Sequence, residues 1–151
     1  FSGAETFAQD ISSWDISKVI TISQMFKNCR LFNANISSWD TSRIINTEGL
    51  FEGANIFNQD LRNWNVKNVT DMTDMFYHSI FDNDISDWDV SKVISMVHMF
   101  SYSQFNGDIS KWNINGVKFM NNMFKESIFN RDITPWIKYK KNVLIHTKYG
   151  K

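Results

Sequence analysis

The 151-residue chain is 42% apolar and holds 13 Phe, 6 Trp and 7 Met, the composition of a packed domain and not of a disordered segment. All 16 acidic side chains lie at or before Asp132, whereas five of the 16 basic ones (Lys138, Lys140, Lys141, Lys148 and Lys151) lie beyond it, so the body is acidic by five charges. That excludes the basic stripe a nucleic acid requires. The lone Cys29 excludes an internal disulfide framework and a multi-cysteine metal site, and no apolar run approaches the roughly 18 residues that cross a bilayer.

From the N-terminus onward one pattern recurs. The tryptophans Trp14, Trp39, Trp64, Trp88, Trp112 and Trp136 are spaced by 25, 25, 24, 24 and 24 residues. A phenylalanine stands seven residues before each: Phe7, Phe32, Phe57, Phe81, Phe105 and Phe129. Another stands twelve after each of the first five: Phe26, Phe51, Phe76, Phe100 and Phe124. Phe1 fills that second place for an earlier unit, so the first repeat reads as truncated and the chain as a fragment of a longer protein. Ile11, Ile36, Leu61, Ile85, Ile109 and Ile133 lie three before Trp, and Val19, Ile44, Val69, Val93 and Val117 five after. Every Met falls eight or eleven after Trp.

Within each unit the stretch before Trp, such as Asp84-Ile85-Ser86, reads as a short strand. Met72-Thr73-Asp74-Met75-Phe76 puts apolar groups at i, i+3 and i+4, one face of a helical turn. Independent amphipathic helices would not separate the β-branched positions near Trp from the later Met and Phe. A single unit cannot bury its own apolar columns, but stacked units turn each column into a ladder. The expected architecture is therefore an α/β repeat. It is a right-handed solenoid similar to leucine-rich repeats, with one short parallel strand and a short helical turn per coil. About six repeats span residues 1–136. Residues 137–151 break the pattern, with Lys138, Lys141 and Lys148 at positions where apolar residues are due, and read as a C-terminal cap or a basic tail.

The stretch Phe81-Asp82-Asn83-Asp84-Ile85-Ser86-Asp87-Trp88-Asp89-Val90-Ser91-Lys92-Val93, followed by Met96 and Met99-Phe100, resembles the repeat of BspA-like, mycoplasma-lipoprotein-type leucine-rich-repeat surface proteins. Phe57 to Phe76 matches nearly as well, and the resemblance covers residues 1–136. It implies a leucine-rich-repeat-like fold, exposure at the cell surface and a role in adhesion or protein–protein contact. A virion or host-cytoplasm location is the alternative if the source is viral. The resemblance carries no catalytic residues.

The remaining candidates are surface columns. Asp10, Asn35, Asp60, Asp84, Asp108 and Asp132 stand four before Trp; Asp15, Asp40, Asn65, Asp89 and Asn113 stand one after. Repeated carboxylates can hold Ca²⁺, but Asp and Asn interchange here, which suits a side chain accepting backbone N–H bonds in turns. A Ser/Asp strip faces outward beside the buried Ile. Its departures from consensus, Arg62, Asp87 and Lys111, together with Asp60, Asp84 and Asp108, are the candidate partner-binding residues. The six tryptophans are assigned to the structural ladder, with sugar stacking as the alternative. Cys29 sits in a small-residue column, and His78, His98 and His146 fall in three different columns with no metal-ligand spacing. Asn35-Ile36-Ser37 and Asn68-Val69-Thr70 are chance-level glycosylation sequons. The sequence thus points to a monomeric, non-enzymatic recognition or adhesion module without cofactor or metal. Its partner is a protein before a glycan, and no nucleic acid or membrane span is involved. The rival reading is a purely structural spacer or stalk.

Overall fold

A computed structural model of the chain describes residues 1–139. Among them there is no α-helix and no β-strand; the one regular element is a 3₁₀ helix, Thr134–Lys138, with Pro135 in its first turn. The expectation of an α/β repeat, a leucine-rich-repeat-like right-handed solenoid with a strand and a helical turn in every coil, is therefore corrected. Each coil is instead a succession of turns. The 3₁₀ helix runs across the boundary expected after Trp136. The cap or tail expected for 137–151 falls, from Lys140 onward, outside the described residues.

The coil around Trp64 shows how the backbone is satisfied. The Trp64 amide donates to the Leu61 carbonyl, Val69 to Val66, Met75 to Met72, Tyr77 to Asp74 and Ser79 to Phe76, each spanning three residues. The amides left between these turns point to the next coil. Met72 donates to Ser95, Asp74 to Val97, Phe76 to Met99 and His78 to Ser101, at 2.9–3.0 Å. On the other side, the Thr70 amide reaches back to Ile45 in the coil before. No regular element is needed, because turn bonds and coil-to-coil bonds between them use the polar groups that burial would otherwise leave costly.

Two expectations fail for identifiable reasons. The Met-x-x-Met-Phe stretch does not coil into a helix because the residue before its second Met, and another two beyond its Phe, adopt the left-handed conformation. They form the columns Gln24, Gly49, Asp74, His98 and Asn122, and Asn28, Gly53, His78, Tyr102 and Glu126, with φ between 53° and 64°. In the turns closed by Met25 and Met75 this residue is third, where positive φ belongs. It interrupts the run of right-handed residues a helix requires. The Asp-Ile-Ser stretch is not a strand but an Asx cap leading into a turn. The nearest approach to a sheet lies seven residues after Trp, where single parallel bridges join Thr21 to Asn46, Asn46 to Asp71, Asp71 to Ser95 and Ser95 to Phe119.

The core runs unbroken along the pile. In every coil the two phenylalanines stack face to face, at 3.8 Å for Phe26 and Phe32 and 4.3 Å for Phe76 and Phe81. Each also stacks on its counterparts in neighbouring coils: Phe51, Phe76 and Phe100 are 5.7 Å apart in succession. Burying one such ring contributes about 1.5–3 kcal/mol, which offsets the entropy of ordering a backbone without helices or strands.

Candidate interaction surface

The tryptophan column fixes the register. Each indole Nε1–H reaches back one coil to the carbonyl three before the previous tryptophan. Trp39 donates to Ile11 at 3.2 Å, Trp64 to Ile36 at 3.0 Å, Trp88 to Leu61 at 3.0 Å, Trp112 to Ile85 at 3.1 Å and Trp136 to Ile109 at 3.2 Å. The same carbonyls accept the turn amides, so both lone pairs are engaged. These five side chains are buried, whereas Trp14 is 43% exposed. With their edges bonded and their faces against other rings, the five offer no face to a sugar.

The acidic columns are turn caps. Oδ1 of Asp10, Asn35, Asp60, Asp84, Asp108 and Asp132 accepts the amide two residues on, at 2.8–3.0 Å. The column after Trp does the same: Asp15 caps Ser17, Asp40 caps Ser42, Asn65 caps Lys67, Asp89 caps Ser91 and Asn113 caps Asn115. An amide oxygen accepts as well as a carboxylate, which accounts for the Asp/Asn interchange. At Asp10, Asp15, Asp40, Asp89 and Asp132 these bonds lower the affinity of the cap for a proton. The Ser86 amide and then its hydroxyl hold Asp84 below the usual carboxylate range, and the Ser110 amide and hydroxyl do so for Asp108.

The caps also place charge. Asp60 pairs with Arg62 at 3.0 Å across two residues of its own coil. Arg62 and Lys111 both lie close enough to stabilise the Asp84 carboxylate, and Lys111 and Arg131 do the same for Asp108. Opposite charges are therefore intermixed along successive coils: Asp60 with Arg62, then Asp84, then Asp108 with Lys111, then Arg131. Asp84, Asp108, Lys111 and Arg131 line one open depression of about 390 Å³. The structure thus gathers Asp84, Asp108 and Lys111, adds Arg131, and leaves Arg62 and Asp60 as a pair one coil away. Asp87 is exposed and does not line the depression.

Three features escaped the sequence reading. One is a side-chain ladder directly after the first Phe of each unit. Asn33 Oδ1 accepts the Asn58 amide, Asn58 that of Asp82, Asp82 that of Asn106 and Asn106 that of Asn130, at 2.7–3.1 Å. The signal was present as an Asn/Asp recurring after Phe. The second is exposed aliphatic columns: Ile20, Ile45 and Ile94 six after Trp, and Leu31, Ile56, Ile80 and Ile128 just before Phe, all 40–50% exposed. Their periodicity matched that of the core columns and gave no sign of direction. The third is an aromatic and acidic cluster around Tyr77.

Cys29 is buried with its thiol 3.0 Å from the Phe1 carbonyl, and burial pushes its pKa up, which suits packing and not a nucleophile. Among the described residues no three His, Cys, Asp or Glu side chains converge as a metal site would need.

Compared with known families, the chain matches the one described as "Mycoplasma protein of unknown function, DUF285", over residues 1–104 and again over 78–146. The two stretches overlap, as expected when a repeat-based description is laid along a periodic chain. No curated protein and no solved structure matches it.

Proposed function

The chain belongs to the DUF285 family, and from that premise we propose that it is a non-catalytic recognition module of a BspA-like surface protein, acting outside the cell and contacting a partner protein. The observation that carries this reading is the mixed-charge strip of Asp60, Arg62, Asp84, Asp108, Lys111 and Arg131. Its three aspartates are fixed at the backbone by Asx caps; Asp84 and Asp108 are exposed, and the side chain of Asp60 is 46% exposed. A fixed pattern of mixed charge discriminates between partners through like-charge repulsion, even where each exposed pair contributes little affinity. A protein suits such a strip better than a glycan, because five of the six tryptophans that would stack on a sugar are buried.

The experiment is capture from candidate host or microbial surface proteins by the 151-residue chain, compared with its Arg62→Glu and Lys111→Glu variants. Recognition predicts at least one protein retained by the unaltered chain and lost by both variants at unchanged melting temperature. Capture indifferent to both reversals would remove the strip from the proposal. A chain that retains nothing across broad screens would favour a structural spacer.

A further inference from the structure

Two Asn-Gly pairs occur in the chain, Asn106-Gly107 and Asn115-Gly116. In such a pair the glycine has no side chain to keep its amide nitrogen from the Asn Cγ beside it, and its backbone turns freely. The fold treats the two pairs differently.

Asn106 belongs to the side-chain ladder and is held at three points. Its amide donates to Asp82 Oδ1 at 2.7 Å, its Oδ1 accepts the Asn130 amide at 3.1 Å, and its carbonyl accepts a bond from Arg131 Nε at 2.7 Å. Gly107 lies so close to the Phe105 ring that a Cβ there would meet it at 2.8 Å. Asn115, by contrast, stands second in the turn that the Val117 amide closes on the Ile114 carbonyl. Its own amide donates to Asn113 Oδ1 at 3.2 Å, but among the described residues neither its side-chain amide nor the Gly116 N–H has a hydrogen-bond partner. Asn115 and Gly116 are both exposed. The same turn in earlier coils carries Ser17-Lys18, Ser42-Arg43, Lys67-Asn68 and Ser91-Lys92, so only this coil puts an Asn-Gly pair there.

We propose that Asn115 is a site of spontaneous deamidation, with water as the co-reactant, and that the fold protects Asn106 from the same reaction. Hydroxide removes the Gly116 amide proton, and the nitrogen attacks Asn115 Cγ. A Cγ–N bond forms, the Cγ–Nδ2 bond breaks, and Nδ2 leaves as ammonia after taking a proton from water. Water then opens the resulting succinimide at either carbonyl. One opening gives an aspartate, the other an isoaspartate whose backbone runs through Cβ and Cγ. Nothing is oxidised or reduced, and each product carries one new negative charge. At Asn106 the same approach must first break the ladder bonds, which slows it by at least about tenfold.

The test is incubation of the folded 151-residue chain in mildly alkaline buffer, followed by tryptic mass mapping. Cleavage after Lys92, Lys111 and Lys118 separates the two pairs into peptides 93–111 and 112–118. Peptide 112–118 should gain the mass of deamidation at least about tenfold faster than peptide 93–111. It should split into aspartate and isoaspartate forms, and its rate should rise with pH. In concentrated urea the two peptides should gain mass at similar rates. Asn115→Gln, whose larger ring closes more slowly, should lose the fast phase. Equal rates in the folded chain, no gain at Asn115 unless the chain is unfolded, or a fast phase that persists in Asn115→Gln would overturn the proposal.

Discussion

Trp14 and Trp88 occupy the same place in the same motif, yet Trp14 is 43% exposed and Trp88 only 4%. The phenylalanines differ in the same way. Phe76 is sandwiched between Phe51 and Phe100, while among the described residues Phe1 has ring neighbours only in Phe7, Trp14 and Phe26 and is 45% exposed. A position in this repeat is not a core position in itself. It becomes one when the coil before it supplies a carbonyl to the indole and a ring to the phenylalanine.

The largest expected effect tests this directly. Trp88→Ala removes a buried ring and its bond to the Leu61 carbonyl, and should cost about 3–5 kcal/mol in urea unfolding. Trp14→Ala should cost under about 1 kcal/mol, since much of its ring is already in water. Equal losses would mean that the motif and not the neighbouring coil creates the burial.

A smaller pair of effects tests the left-handed columns in the same way. Gly53 has φ 64°, and a Cβ there would press against Asn28 Oδ1 in the coil before. Gly53→Ala should cost about 1–2 kcal/mol by denaturant midpoint, chiefly from the backbone and less from the movable Asn28 side chain. Glu126 holds the same column with φ 53°. Glu126→Gly relieves that strain at the cost of a more flexible unfolded chain, and should raise stability by up to about 1 kcal/mol. A loss on Glu126→Gly would show that its side chain contributes more than its backbone costs.

These columns also mark where the sequence stopped being legible. The Trp, Phe, Ile and Met periods identified which side chains meet, because burial depends on register and not on backbone type. They could not distinguish a helix from successive turns, since both bring i, i+3 and i+4 to one side. Gly49, Gly53, Asp74, Asn122 and Asn28 were the clue to left-handed geometry, obscured by Gln24, Tyr102 and Glu126 in the same columns. At the surface, the interchange of Asp and Asn announced the caps. The proximity of Lys111 to Asp84, and of Arg131 to Asp108, needed the stacking of coils. The cluster of Tyr77 and Tyr102 likewise joins residues of two coils.

The smallest effects come from protons, and they have opposite signs in the two acidic regions. Asp84, Asp108 and Asp132 are held low by the amide and hydroxyl two residues on. The folded chain therefore releases their protons more readily than the unfolded one. Their stabilisation is present above the unfolded value of about 4 and is lost as pH falls through the folded values. Asp74 is raised, so its charge opposes folding at neutral pH, and that penalty is relieved as pH falls through its folded value. Asp84→Asn should keep the cap, as Asn35 does in the same column, and flatten the loss of melting temperature below about pH 4. Asp74→Asn should raise the melting temperature at pH 7 and leave it nearly unchanged in acid. If Asp74→Asn lowered it at pH 7, the pairing with His98 would outweigh burial and the charge of Glu52.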